Sequence, residues 1–199
     1  MTIYAHAFWA WFPFRRRVWV KWLTLGAVLP DLPYCVYFGI SAIERGPRAI
    51  TDMRIWESLW RSWPICALHS FVPWTVVSLI LLSSLGWVSG TGPLRTRATS
   101  DRPTSFGVGI GALLAGWGAH IVIDMLTHRS DGYPIFWPLS DYRFPTPLSY
   151  WEPAYHGRVF ATVCDGGMLI ALVWLAWGRR HAAEHAAHHP VTSDPARQL

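Results

Sequence analysis

The sequence FGVGIGALLAGWGAHIVIDMLTH, residues 106–128, decides the fold. Residues 106–126 are apolar over a length sufficient to cross the ~30 Å hydrocarbon core of a bilayer as an α-helix. Three ionisable side chains, His120, Asp124 and His128, nevertheless occur near the end of this stretch. Such groups are costly inside a membrane helix and normally face a partner or a water-filled cavity. The stretch therefore predicts both a membrane span and a polar site.

Three further apolar stretches, residues 18–40, 65–88 and 159–177, approach or reach the length of a membrane helix. The composition agrees, since 52% of the 199 residues are hydrophobic and only 15% are charged, whereas soluble domains carry about 25% charged residues. The 14 Trp, 7 Tyr and 9 Phe residues suit the aromatic belts at membrane interfaces. The predicted fold class is therefore all-α, an integral membrane bundle of about four transmembrane helices.

Two segments outside the spans are rich in aromatic residues. Residues 3–14 are too short to cross the membrane and predict a short re-entrant or interfacial helix. Residues 128–158 interleave proline with aromatic residues, which is unlike the composition of a disordered linker. Because long loops in small proteins are usually functional, we expect this aromatic and Pro-rich loop to fold over the helix ends as a lid. Residues 1–180 then form one membrane-embedded helical domain, and residues 181–199 form a His/Ala-rich C-terminal tail.

The basic residues lie at the ends of the apolar stretches and do not gather on one face. Nucleic-acid binding is therefore not expected, despite the net charge of +5. With the N-terminus inside, the inner segments hold ten Lys/Arg residues, including Arg95, Arg97, Arg102 and Arg197, and the outer loops hold seven. This bias predicts cytoplasmic N- and C-termini for a protein that is expected in the bacterial inner (cytoplasmic) membrane. The sequence leaves the oligomeric state open.

His120, Asp124 and His128 are spaced i, i+4 and i+8. On an α-helix these positions advance by about 40° per step, so the three side chains line one narrow stripe. Two imidazoles and a carboxylate suit a divalent metal, zinc first, with iron and manganese as further candidates. The alternative is that His120 and Asp124 form hydrogen bonds between helices and bind no ion.

Several other polar residues are expected at the same depth in the membrane. Asp31 lies between Pro30 and Pro33, where the first helix should break, and its carboxylate serves either as a ligand or as a helix cap. His69 lies at the entrance of the second stretch and could bind only a backbone carbonyl. Glu152 and His156 form a further i, i+4 pair just before the fourth stretch. His6 reaches this level if the N-terminal segment enters the membrane and returns. The candidate metal ligands are thus His6, Asp31, His69, His120, Asp124, His128 and His156.

Four ordered motifs resemble the membrane-bound metal-dependent hydrolases of the YdjM-like family. They are His6, the sequence GAVLPD at residues 26–31, the pair His69-Ser70, and His-x-x-x-Asp at His120 and Asp124. The resemblance covers most of residues 1–160, although each motif is short. The family is distantly similar to zinc-dependent phospholipase C and the related zinc nucleases, which are soluble α-helical enzymes.

This resemblance implies that His6, Asp31, His69, His120 and Asp124 are metal ligands, with His128 as an addition. Two departures from the family pattern limit the number of ions. Leu32 and Pro33 follow Asp31 where the family has a polar residue. The last helix offers only the reversed order of Glu152 and His156 in place of a second His-x-x-x-Glu. One or two metal ions therefore fit better than three.

The hypothesis for function is a metal-dependent hydrolase that acts on a phosphoester or lipid-like substrate through a metal-activated water, with Asp31 or Glu152 as the catalytic base. Arg129, Arg143 and Arg158 are candidates for holding a phosphate. The first alternative is a metal-binding transporter or sensor without catalysis, which would need polar residues across the whole membrane. The second is a structural membrane protein whose His and Asp residues join helices by hydrogen bonds. Clustering of the polar residues at one depth favours a site over a pathway.

Overall fold

A computed structural model describes residues 1–46, 48, 53–88 and 105–188, without the side chains of 53–55, 58, 86–88, 105 and 182–188. The described chain is helical, and its one isolated β-bridge joins Phe136 and Ser140. Arg95, Arg97 and Arg102, which were predicted to lie in an inner loop, and tail residues 189–199 lie outside the described residues. Within these described residues, the α-helices run in the order α1 (Ile3–Trp11), α2 (Val20–Val28), α3 (Leu32–Arg45), α4 (Met53–Trp60), α5 (Trp63–Leu68), α6 (Phe71–Val88), α7 (Ser105–Thr127) and α8 (Gly157–His188).

Three helical stretches in the described part of the chain are long and apolar enough to cross a membrane: Val20–Arg45, Phe106–Thr127 and Gly157–His181. They correspond to the first, third and fourth predicted spans. The second predicted span, residues 65–88, is divided between α5 and α6. The apolar part of α6 whose side chains are described, Phe71–Leu85, is shorter than a span. The division follows from Pro73, because its ring clashes with the carbonyl of residue 69 and it cannot donate a helical hydrogen bond.

The interruption expected in the first span is present. A 3-10 turn, Leu29–Asp31, separates α2 from α3. Pro30 and Pro33 lack backbone N–H groups, so the helical hydrogen bonds that they would donate cannot form. Asp31 is the last residue of this turn and lies deep within the Val20–Arg45 stretch.

Helices α2 and α7 pack in parallel with their backbones in direct contact. A Cβ atom added at Gly26 would overlap the carbonyl oxygen of Leu113, and one added at Gly116 would overlap the carbonyl oxygen of Leu23. Small residues that allow such close approach are typical of helix packing in membranes. Gly26 and Gly116 therefore allow the direct contact between the two backbones. The contact also fixes the position of α7 along the axis of α2.

Substituting Gly116 with alanine should lower the melting temperature of the detergent-solubilised protein, because the added methyl group must push the two backbones apart. Gly111→Ala is the matched control, since a Cβ atom there meets nothing within 4 Å. Alanine is the better helix former by roughly 0.5–1 kcal/mol, so the control should be neutral or slightly stabilising. Equal melting temperatures for the two variants would contradict the close contact between α2 and α7.

The chain divides into two units, Met1–Ala161 and Thr162–Leu199. In its described part, the second unit is the remainder of α8, whose exposed apolar side chains include Leu169, Ile170 and Trp174. The helix continues to His188, so the first residues of the predicted tail extend this last helix.

Backbone and hydroxyl hydrogen bonds attach the segment after α7 to the ends of other helices. The Ser70 hydroxyl lies 3.0 and 2.9 Å from the carbonyl oxygens of Ile135 and Trp137. The Thr146 hydroxyl donates to the Leu126 carbonyl over 2.7 Å, and the Tyr150 N–H donates to the Thr127 carbonyl over 2.7 Å. The segment is therefore joined both to the break between α5 and α6 and to the end of α7.

Candidate metal centre

Four side chains from three breaks or helix ends converge in the interior of the first unit. They are Asp31 from the 3-10 turn, His69 from the end of α5, and His120 and Asp124 from α7. One potential ligand atom from each lies within 4.8 Å of all the others. The two histidine side chains are 0% exposed and Asp124 is 4% exposed, whereas Asp31 is 14% exposed. These four side chains therefore form a buried polar cluster that solvent reaches mainly at Asp31.

The spacing of the ligand atoms suits a tetrahedral ion. Bonds of 2.0–2.2 Å to such an ion place neighbouring ligand atoms about 3.3–3.6 Å apart. His120 Nε2 lies 3.2 Å from Asp124 Oδ2 and 3.2 Å from His69 Nε2. His69 Nε2 lies 3.6 Å from Asp31 Oδ1 and 3.7 Å from Asp124 Oδ2. The longest of these separations is 3.9 Å, between His120 Nε2 and Asp31 Oδ1.

Backbone carbonyls fix the orientation of both histidines. His69 Nδ1 lies 2.8 Å from the Ile65 carbonyl oxygen, and His120 Nδ1 lies 2.7 Å from the Ala27 carbonyl oxygen. Because a carbonyl only accepts, each Nδ1 must carry the hydrogen and donate it. In a neutral ring, Nε2 then carries a lone pair and no hydrogen. The Nε2 atoms of His69 and His120 lie 3.2 Å apart. Metal-binding histidines typically hold their second nitrogen in this way.

A second set of polar groups surrounds the other oxygen of Asp124. His6 Nε2 lies 2.9 Å and His128 Nε2 3.5 Å from Asp124 Oδ1. The amino group of Met1 donates to the same oxygen over 2.9 Å. The His6 ring also stacks on His120, with their centroids 3.9 Å apart. Asp124 therefore contacts four histidines. Its Oδ2 lies near His69 and His120, and its Oδ1 lies near His6 and His128.

The state of His6 is set by its surroundings. Burial lowers its pKa to about 4, against the opposing effect of the Asp124 carboxylate. The imidazole is thus neutral at pH 7, which is the form that binds metals. Its Nδ1 atom is buried and has no hydrogen-bond partner.

Asp131 binds the His128 ring nitrogen that is not the one near Asp124. Its Oδ2 accepts a 2.7 Å hydrogen bond from His128 Nδ1. A carboxylate that binds the far nitrogen of an imidazole orients the ring and raises its basicity as a ligand. The i, i+3 spacing of His128 and Asp131 was the available signal in the sequence.

Glu152 and His156 lie outside the group of four. The Glu152 carboxylate accepts from the backbone N–H and the hydroxyl of Ser130 over 2.9 and 2.7 Å. His156 is exposed and has a left-handed backbone conformation with φ of 62° between a 3-10 turn and α8. Among the candidate phosphate-binding residues, Arg129 donates to the Thr146 carbonyl and Arg143 to the Gly132 carbonyl.

Two tyrosines that sequence reasoning did not assign to the site are packed around His69. The Tyr133 ring stacks on the His69 ring with 3.9 Å between centroids. Its hydroxyl lies 2.9 Å from that of Tyr34, which belongs to the first turn of α3. The pair joins the segment after α7 to the helix that follows Asp31.

The comparisons with known proteins give one match. The model of the family described as YdjM inner membrane protein matches residues 3–187. No match is found among curated proteins or among solved structures.

Proposed function

Because the chain belongs to the YdjM inner membrane protein family, we propose that it is a membrane-embedded, metal-dependent hydrolase. Its centre consists of Asp31, His69, His120 and Asp124. The bilayer surrounds it, and we place it in the bacterial inner membrane with four spans, the second of which is α6. The basic turn at Arg15–Arg17 and the end of α8 face the cytoplasm, as the positive-inside bias favours.

The observation that carries the proposal is the approach of the two imidazoles. With both Nδ1–H groups donated to carbonyls, two nitrogen lone pairs lie 3.2 Å apart beside two carboxylates. Hydrogen bonding between helices alone would not favour this arrangement, since neither lone pair has a donor unless an extra proton is added. A divalent cation satisfies all four groups at once. Two imidazoles and two carboxylates suit zinc, with iron and manganese as further candidates.

A second ion would fit beside the first only by displacing the Met1 amino group, which lies 2.9 Å from Asp124 Oδ1 and 2.7 Å from His128 Nε2. His6 and His128 flank the Asp124 oxygen that faces away from His120. Asp124, His6 and His128 would then hold this second ion, and Asp131 would orient His128. This gives the one or two ions that the motifs imply.

A divalent ion in this centre would supply Lewis-acid chemistry and lower the pKa of a water to about 7. The protein's part is to hold the reacting groups in place and to accept the proton of the water. Asp31 suits the role of base, because it is the most exposed of the four carboxylate and imidazole groups. Glu152, the other carboxylate considered for this role, has both oxygens engaged by Ser130. The segment carrying Tyr133 acts as a lid that excludes bulk water from His69.

The substrate class follows from the depth of the site. A buried centre within membrane-spanning helices is reached most directly by an amphiphile, and we propose a lipid or other apolar phosphoester. The alternative of a metal-binding protein without catalysis retains the same centre and predicts no turnover.

The test is hydrolysis by purified, metal-replete protein of a chromogenic phosphodiester and of a fluorescent phospholipid in mixed micelles. We expect turnover that is at least about a hundredfold lower in Asp31→Asn, whereas Asp141→Asn, an exposed loop position, retains full rates. Folded, metal-loaded protein that cleaves neither substrate would favour the non-catalytic alternative. Activity that persists in metal-free protein would contradict the proposed mechanism.

A further inference from the structure

An apolar groove of about 550 Å³ lies between α3 and the segment formed by α4 and α5. This volume is within the range of about 300–1,000 Å³ that is usual for ligand pockets. No charged side chain lines it. Its principal walls are Leu29, Leu32 and Val36 on one side and Leu59, Ile65 and Leu68 on the other.

The groove adjoins the metal centre through two of its ligands. Leu29 and Leu32 bracket the turn that ends in Asp31. Leu68 directly precedes His69, and the Ile65 carbonyl accepts the hydrogen bond that orients the His69 ring. The apolar walls and the candidate ligands therefore belong to the same short pieces of backbone. Asp31, the most exposed of the four candidate ligands, lies in the sequence between the wall residues Leu29 and Leu32.

We propose that the groove binds one acyl chain of a membrane lipid, whose polar head then lies at the Asp31 side of the centre. This inference rests on the proposed function and deepens it, since it makes the substrate a lipid rather than a water-soluble phosphoester. The groove is open, so a chain can enter from the side. Leu32 and Val36 are 36% and 61% exposed in a stretch, Val20–Arg45, that is long and apolar enough to span the bilayer. A hydrocarbon chain is the occupant that the bilayer supplies and that uncharged walls accept.

Transfer of an acyl chain from the bilayer to the groove brings no hydrophobic gain, because lipid tails are as apolar as the groove walls. The shape of the groove, which a substitution at Val36 would change, should therefore govern binding.

Two tryptophan substitutions on α3 separate the groove from ordinary lipid contact. Val36→Trp places a large ring in the groove. Ile43→Trp places the same ring on the same helix at a residue that is 86% exposed and does not line the groove. Neither residue belongs to the metal centre.

The experiment uses the full chain in nanodiscs that contain a small fraction of phospholipid with a diazirine on one acyl chain. After irradiation, labelled peptides are mapped by mass spectrometry, and the metal content of each preparation is measured in parallel. We expect the label to concentrate in residues 29–40 and 59–68, to fall at least fivefold in Val36→Trp, and to be unchanged in Ile43→Trp.

Label spread evenly over exposed helices such as α8, or unaffected by Val36→Trp, would overturn the inference. A protein dimer that Val36→Trp dissociates would overturn it too, by assigning the groove to a second copy of the chain. The metal measurement keeps the proposed function separate. If the protein is metal-free and the groove is labelled, the hydrolase proposal is contradicted and the acyl-chain proposal stands. If the protein is metal-loaded and the groove is not labelled, only the acyl-chain proposal is contradicted.

Discussion

Replacing Asp124 with alanine should remove all tightly bound divalent metal from the purified protein. Asp124 is the residue shared by both sets of potential ligands, with Oδ2 near His69 and His120 and Oδ1 near His6 and His128. Its loss leaves at most three ligands for the first ion and takes away the one carboxylate of the second. We expect one or two zinc, iron or manganese ions per wild-type chain and fewer than about 0.1 in the variant.

Mass spectrometry of the metals in detergent-purified protein measures this directly. Asp141→Ala is the control, because it removes the same charge from an exposed loop position. The tail histidines bind stray metal equally in all three proteins, and replacing His181, His185, His188 and His189 with alanine in each removes that background. Folded, monodisperse wild type without metal would leave His120 and Asp124 as groups that join helices.

Removing the metal from the wild type should lower its melting temperature by roughly 5–10 °C. An ion present at about 100 times its dissociation constant stabilises the folded state by about 2.7 kcal/mol, and each kcal/mol corresponds to about 2–4 °C for a chain of this size. The physical reason is the set of buried carboxylates and facing lone pairs around His69 and His120, which lose their common partner.

A thermal unfolding series with and without chelator checks this effect, followed by restoration with each metal in turn. Asp124→Ala should show no response to chelator, because its ion is already absent. A chelator shift of the same size in Asp124→Ala would mean that the stabilising ion binds elsewhere, with the C-terminal histidines as the first place to look. Restoration by zinc and not by manganese would identify the ion preferred.

The parts of the site that follow helical periodicity could be predicted from the sequence. The i, i+4 spacing placed His120 and Asp124 on one face, and the structure has them 3.2 Å apart. The Pro-Asp-x-Pro pattern predicted the break that carries Asp31, since prolines act locally. His69 was among the expected ligands and lies near Asp31, His120 and Asp124, but its position at the break between α5 and α6 was not foreseen. The second apolar stretch was interpreted as continuous although it contains Pro73.

Contacts between segments that are distant in the sequence could not be predicted from it. The Ala27 carbonyl that orients His120, the Tyr133 ring on His69 and the Asp131 carboxylate behind His128 depend on how helices and the loop pack. For Glu152, helical spacing was applied to a segment that is not an α-helix. Its i, i+4 relation to His156 assumed a helix, whereas the residues between them form a 3-10 turn that ends in a left-handed residue.

The glycine contact between α2 and α7 has a genetic consequence. Gly116 lies one helical turn before His120, and its neighbour across the contact is the same stretch of α2 that ends in the Ala27 carbonyl. A side chain at Gly116 or Gly26 would therefore displace the imidazole as well as loosen the helices. A random-mutagenesis screen for inactive alleles should return these two glycines beside the ligand residues, although neither glycine has a functional group.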